Sequence, residues 1–310
     1  GGVSNQSYER EDRYKPAKSE KTSKTGYNLK GGVSLTMAEG NTIFFNAGYN
    51  SRQPYLDNIF NRNTGFITEL VSPAVENEKI TSFEAGYHFK TNNFRANFNA
   101  YVTNWTDRTL SSFGTDDNGT PDDDQDDFDT TTLQRGIAQY HSGAELDVRY
   151  RATDWLSFQG FISAGSWTYK GEAVVSTYNA DTNEQIGETS TVNRDGIKVS
   201  TAPQFTTGIG FDAKIATGLS IDARIKYNDN HYEFTNENTS KEDYTGAQLG
   251  SYALTNAGIT YRFSLGNSNR MTFRANMFNV FDKVAIQQTD RFGYFTTGGR
   301  TFNASMRYEF

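Results

Sequence analysis

Residues 116–129 read DDNGTPDDDQDDFD and hold 8 Asp with no Lys or Arg. Clustered carboxylate and carbonyl oxygens around a glycine turn are the ligands that Ca²⁺ prefers. With Gly119 set on the glycine of a D-x-D-x-D-G-x-x-D-x-x-[DE] loop, Asp116, Asn118 and Asp122 take the third, fifth and ninth ligand positions. Gly114 then falls on the first position and Gln125 on the twelfth, so neither end supplies a carboxylate. Asp124, Asp126 or Asp127 would have to stand in. The spacing supports either a Ca²⁺ site built on Asp116, Asn118, Asp122 and Asp124 or a solvated acidic loop.

Two other sets of residues have chemical potential. Arg149, Arg151, Arg224, Lys226, Arg270, Arg274 and Arg307 recur with Glu145, Asp147 and Asp222 at alternate positions. Such a row either contacts a substrate or makes ion pairs along a hydrated wall, each worth little alone. Arg52, Gln53 and Tyr55, and separately Trp167, Tyr169 and Tyr178, combine cations and rings that can stack on a flat ligand face. Interfacial anchoring and loop packing are the plainer alternatives, and Trp105 and Trp155 read as girdle or packing residues. No Ser, His and acid set falls on neighbouring segments. His141 and Ser142 are adjacent in an extended run, so they point to opposite faces. The chain reads as non-enzymatic.

These residues sit in a chain of unusual composition. It has 310 residues, a net charge of -7, 35% hydrophobic residues and yet 14% aromatics, with 28 Gly and 5 Pro. The acidic balance is local, because the rest of the chain carries +1 without the Asp-rich segment. No basic face suits nucleic acid. No Cys is present, which excludes a disulfide scaffold and thiolate metal sites. The 3 His (His88, His141, His231) argue against a multi-His metal site. Apolar runs are too short for a membrane helix, which needs about 20 residues, and aromatic richness argues against disorder.

The elements that must position these residues are strands. Strict apolar/polar alternation marks a sheet with two different faces. Phe302, Ala304, Met306, Tyr308 and Phe310 oppose Thr301, Asn303, Ser305, Arg307 and Glu309. Leu219, Ile221, Ala223, Ile225 and Tyr227 oppose Ser220, Asp222, Arg224, Lys226 and Asn228. The same pattern recurs near 27–37, 83–89, 94–102, 144–150 and 270–277, and less cleanly near 42–50, 155–169, 203–215 and 250–263. That makes about eleven segments, most of the length of tilted membrane strands.

Short connections centre on Glu39-Gly40-Asn41, Asn92-Asn93, Thr153-Asp154, Thr217-Gly218 and Gly266-Asn267, all turn chemistry. Long ones fall near 51–77, 109–132, 170–198, 235–249 and 282–298. A soluble sandwich would alternate too. Long strands and aromatics at strand ends (Tyr49, Tyr87, Tyr150, Tyr227, Tyr308, Phe310) favour a membrane barrel with interfacial girdles. Such barrels have even strand counts. An odd count near eleven, with residues 1–24 as the end of an extracellular loop, implies the C-terminal part of a larger barrel. The polar opening GGVSNQSYEREDRYKPAK fits a processed N-terminus or an internal piece.

MFNVFDK at 277–283 is similar to the N-[VL]-F-[DN]-K stretch of TonB-dependent outer-membrane receptors, and GRTFNASMRYEF at 299–310 resembles their last strand. NAGYNSRQPYLDNIF at 46–60 followed by NEKITSFEAGYHF at 77–89 resembles their mid-barrel pattern. The resemblance implies an all-β antiparallel transmembrane barrel of about 22 strands, of which this chain is the C-terminal half. Tyr308 and Phe310 would then be the C-terminal assembly signal. The family's plug domain and TonB box would lie outside this chain, and the basic row could cradle that plug.

The resemblance further implies a transporter of the bacterial outer membrane, embedded in outer-membrane lipid and energised through TonB, ExbB and ExbD. A ferric siderophore is the first expected cargo. Glycan or peptide follows, with a surface lipoprotein as partner, and then cobalamin. Arg52, Tyr55, Trp167, Tyr169 and Tyr178 would contact the cargo. A passive channel, an outer-membrane enzyme and a soluble sandwich are the competing classes.

Overall fold

A computed structural model of the chain describes residues 1–14, 17–63, 65–235, 239–266, 269–290 and 292–310. Strand β1 is Gly2–Tyr8, β2 Thr22–Ala38 and β3 Asn41–Arg52, followed by a short helix α1, Leu56–Ile59. Next come β4 Glu78–Lys90, β5 Phe94–Asp116, β6 Phe128–Arg151 and β7 Leu156–Lys170. A hairpin of β8 Glu172–Asn179 and β9 Gln185–Asn193 precedes β10 Phe205–Ala216, β11 Leu219–Asp229, β12 Tyr252–Leu265 and β13 Asn269–Phe278. A second hairpin, β14 Ile286–Asp290 and β15 Gly293–Thr296, leads to the last strand, β16 Thr301–Glu309.

One antiparallel sheet carries the fold. Its order is β1-β2-β3-β4-β5-β6-β7-β10-β11-β12-β13-β16, a path of 12 strands in which neighbours in space are successive passes of the chain. β1 and β16 lie at opposite ends and do not pair, so the sheet is open. The alternation sets its two faces. Along β2 to β4 the register aligns Val33 with Phe45 and Ala47 with Phe83 on the apolar face. Along β10 to β13 it aligns Ile209 with Ile225, and Ile221 with Ile259 and Ala275. Among the described residues nothing covers this face: Leu29, Val33, Ile209, Phe302 and Met306 are 67%, 71%, 61%, 67% and 69% exposed. A sandwich would bury these residues against a second sheet. Here the apolar face is left for lipid, and aromatics edge it. Tyr27 stacks on Tyr49 at the long-loop end, while Phe94 meets Phe89 and Tyr150 at the short-turn end.

The turns are legible in their residues. Gly40 and Gly218 have φ of 75° and 74°. A Cβ at either would run into the carbonyl of Lys90 or Arg262 on the next strand pair. Those same strand ends donate to the turn carbonyls, Lys90 N to Gly40 O and Arg262 N to Gly218 O, both at 2.8 Å. Thr153 Oγ1 accepts from Leu156 N at 3.0 Å and closes its turn. Gly266 adopts a φ of 78°; its expected turn partner Asn267 lies outside the described residues.

All eleven alternating segments are strands of this sheet, and the corrections lie outside them. Residues 1–24 are not all loop: β1 pairs with Thr22 to Asn28 of β2, adding a twelfth strand. Tyr8 at its end is buried with Ile59 and Phe60 under α1 and donates to the Pro54 carbonyl at 2.8 Å. β1 is held by this contact and by its neighbour's ladder rather than by its own pattern. The expected loop at 109–132 shrinks, because the β5–β6 ladder continues to the pair Asp116 and Phe128. The loop at 170–198 contains β8, which pairs with β6, and β9. The loop at 282–298 contains the β14–β15 hairpin, and Arg291 is outside the described residues. Within 51–77 the chain forms α1, and Thr64 is outside the described residues. In 235–249, residues 236–238 are outside them.

Candidate functional site

The polar face and the rim at its long-loop end carry most of the candidate residues. At the rim of β3 to β5, the Arg52 guanidinium lies over the Tyr55 ring at 4.6 Å and over the Trp105 ring at 5.6 Å. Glu78, buried at the start of β4, ties this group down. Its Oε2 stands 3.4 Å from Arg52 Nε and accepts from Trp105 Nε1 at 3.1 Å. Arg108 covers Trp105 at 4.4 Å. Arg52 and Tyr55 are therefore neighbours, and Trp105 packs between two guanidiniums. Arg52 spends its charge on Glu78 and its planar faces on rings, which leaves the outer face of Tyr55 for contact.

Trp167 and Tyr169 share the polar face of β7, two residues apart. Trp167 donates from Nε1 to Tyr101 Oη at 3.0 Å and stacks on His141 at 5.6 Å. Its ring rests over Gly165 and that of Tyr101 over Gly143, where a Cβ would stand 2.8 Å and 2.6 Å from them. Both rings thus lie close to the wall. Buried Gln204 clamps Trp167 by accepting from its N at 3.1 Å and donating to its O at 3.0 Å. Tyr169 lies under the buried Arg194 guanidinium, 4.2 Å from its ring. Tyr178 is elsewhere. It sits on β8 and lines a cavity of about 250 Å³ with Asn63, Asn183 and Glu69. There Asn63 donates to Asn183 Oδ1 at 2.9 Å and accepts from Thr131 Oγ1. The five cargo candidates thus occupy three places.

Tyr101 and Arg108 are site residues that the sequence reading passed over, and His141, weighed there only as a neighbour of Ser142, joins them. For Tyr101 and His141 parity was the available signal: Tyr101 falls on the polar side of β5, where Arg95, Asn97 and Asn99 also fall, whereas Arg108 has the opposite parity and comes round through the irregularity after Trp105. The partnership itself comes from register, which sets Thr103 opposite His141 and His141 opposite Trp167.

In the Asp-rich loop the acids serve the loop's own backbone and neutral side chains. Asp116 Oδ1 accepts from Asn118 N at 2.9 Å, and Asp117 Oδ1 from Gly119 N at 3.0 Å. Asp126 accepts from Thr120 Oγ1 at 2.7 Å and from Asn118 Nδ2 at 3.1 Å, and these bonds hold its carboxyl below the usual carboxylate range. Asp122 and Asp124 are exposed. Among the described residues no three His, Cys, Asp or Glu side chains converge to hold a metal ion.

Lower on the polar wall, Asp222 faces Asp212 across the β10–β11 ladder. Arg274 reaches Asp222 with both Nη atoms, at 2.6 Å and 2.9 Å, and donates to Thr260 Oγ1 and Asn276 Oδ1 at 2.9 Å and 2.7 Å. Arg224 stands 3.9 Å from Asp212. Tyr308, on the apolar face of β16 opposite Met271, lies 6.1 Å from the Phe310 ring.

A family model described as TonB dependent receptor-like, beta-barrel, matches residues 1–280. No curated protein matches the chain. Among solved structures, the chain is similar to the ferric-catecholate import receptor Fiu from E. coli K12. That match has 15% identity and a TM-score of 0.61, covering 95% of this chain and 36% of that one. It is similar to the ferric yersiniabactin uptake receptor FyuA from Yersinia pestis at 15% identity and a TM-score of 0.61, covering 99% and 41%. The ferric citrate transporter FecA aligns at 17% identity and a TM-score of 0.58, covering 96% and 40%. The chain spans about two fifths of the length of these structures, as an open sheet with a bare apolar face should if it is part of a barrel. With the family matched over most of its length, the chain belongs to the TonB-dependent receptor-like β-barrel family, non-enzymatic transporters of the bacterial outer membrane.

Proposed function

We propose that this chain forms the C-terminal barrel strands of an active transporter. The transporter imports a scarce, bulky nutrient and is energised through TonB with ExbB and ExbD. The observation that carries this reading is the family match over residues 1–280 of a sheet whose apolar face is left for lipid. The first cargo to test is a ferric siderophore, because Fiu and FyuA are described as import or uptake receptors for ferric-catecholate and ferric yersiniabactin. The rim supports such a role. Tyr55 presents a ring face beside Arg52, and Trp167 and Tyr101 lie flat along the wall beside His141. Tyr169 stiffens that wall through Arg194, and Tyr178 lines a separate amide-rich cavity suited to a hydroxylated ligand. Glycan or peptide import with a surface lipoprotein is the second reading, favoured by that cavity.

Growth and uptake of labelled iron by a deletion strain, supplied with single ferric siderophores, tests the proposal. The expected result is loss of uptake for one siderophore class, reproduced by deleting TonB. Loss of growth on a glycan or peptide alone would replace the cargo. Uptake that survives without TonB would replace active transport with passive diffusion.

A further inference from the structure

The polar wall carries a cross-strand row in which three cations directly face one another. Register sets Lys90 directly opposite Arg95, and Arg95 directly opposite Arg149. Facing Cβ atoms in an antiparallel sheet are about 5 Å apart, and like charges placed so are destabilising. All three side chains are exposed on the polar face. Among the described residues no carboxylate lies within 4.0 Å of the Lys90, Arg95 or Arg149 charge, although seven other ion pairs form. The contrast is in the neighbouring row, where the facing acids Asp212 and Asp222 are met by Arg224 and Arg274.

The row continues through Gln159 and Gly210 to Arg224. Gln159 lies between two guanidiniums with one amide oxygen to give. In one orientation it accepts from Arg149 Nη2 at 3.4 Å, and turned over it accepts from Arg224 Nη2 at 2.9 Å. Turned to Arg224, it leaves Arg149 without an acceptor among the described residues; turned to Arg149, it leaves Arg224 with Asp212 alone, 3.9 Å away. Gly210 makes room: a Cβ there would stand 2.6 Å from Arg224 Cγ. Arg95, Arg149, Arg224 and Lys226 line a cavity of about 590 Å³, with Asp147 as the single carboxylate in its wall. That volume lies within the range of small-ligand sites, about 300–1,000 Å³.

We infer that this row is a binding site for a small multivalent oxyanion, gripped by the forks of Arg95 and Arg149 with Lys90 and Arg224 at its flanks. Guanidinium forks match carboxylate and phosphate oxygens two at a time, and such charge-assisted pairs are the strong ones. An anion there relieves the repulsion that the sheet register builds in. The site goes beyond the transport reading, since it needs neither iron nor energy coupling.

Calorimetric titration of inorganic pyrophosphate into the complete protein, in neutral detergent at low ionic strength, tests it. Binding is expected, weakened about tenfold in Arg95→Gln and in Arg149→Gln and unchanged in Arg13→Gln, an exposed cation of the first loop. Equal affinity in all three variants would overturn the site. So would a wild-type protein that takes up no pyrophosphate. In that case a lower unfolding midpoint in Arg95→Gln would show that an acidic stretch of polypeptide neutralises the row instead. The readout uses no cells, so a failed uptake experiment leaves it untouched.

Discussion

Asp222 owes its ionised place on the wall to Arg274. It faces Asp212 directly, and facing carboxylates repel. The two-pronged contact from Arg274 offsets this in a partly buried setting, with the two side chains 31% and 16% exposed. Arg274→Ala leaves both acids with only Arg224, which is 3.9 Å from Asp212. The expected cost is about 2 kcal/mol, the usual size for orphaning one partner of a charged hydrogen bond. It should appear as a lower urea midpoint of protein folded in vesicles. Adding Asp222→Asn should return at least half of the loss. A silent Arg274→Ala would mean that hydration already screens the acids.

Asp126 makes a prediction in pH. Thr120 and Asn118 donate to its charged form, so its folded value lies below its unfolded one. A depressed carboxyl stabilises the fold above the unfolded value and loses that contribution as pH falls through the folded one. The tip of the acidic loop should therefore stay ordered at neutral pH and loosen only below the ordinary carboxylate range. Hydrogen exchange at Asn118 and Gly119 should rise there, and Asp126→Asn should remove the step.

Single strands express the two-solvent pattern. On β2, Val33 sits on the apolar face and Ser34 on the polar one, a residue apart. Arg introduced on the lipid side near mid-membrane costs about 2–4 kcal/mol, whereas a lumenal site tolerates charge. Val33→Arg should lower the folding free energy into vesicles by that amount, and Ser34→Arg by less than about 0.5 kcal/mol. Equal penalties would mean that the faces are misassigned.

The same constraint explains what the sequence made legible. Strands with lipid on one side and water on the other must alternate, and all eleven alternating segments were readable. β1, GVSNQSY, pairs beside the first residues of β2, where its neighbour's ladder holds it. β8 and β9 extend the β6 ladder in the long-loop region, where no lipid enforces a period. Arg52 and Tyr55 were readable as a pair because they are three residues apart. The link to Trp105 needs the β4–β5 register and an irregularity between Trp105 and Arg108, neither of which has a local signal.

At the scale of the molecule, the two ends of the sheet decide the architecture. β1 covers β2 only from Thr22 to Asn28, so the edge of β2 from Leu29 to Ala38 has no partner among the described residues. The outer edge of β16, Thr301–Glu309, has none either. In hydrocarbon an unpaired N–H or C=O costs several kcal/mol, and spanning sheets therefore close. Both edges must be paired in the membrane, and the matched structures, of which this chain covers 36% to 41%, have the length to supply the missing strands.

Closure makes a sharp prediction for the last strand. Residues along β16 alternate between bonding inward to β13 and bonding outward from the open edge, so half of its amides depend on a strand outside this chain. In the complete protein, folded in lipid, Asn303 through Arg307 should all exchange as slowly as Thr272 through Asn276 on β13. Alternate fast and slow amides along β16 would mean a standing edge and would remove the closed barrel on which the proposed transport depends. Uniform protection that is lost when the missing strands are deleted would trace the outer bonds to them.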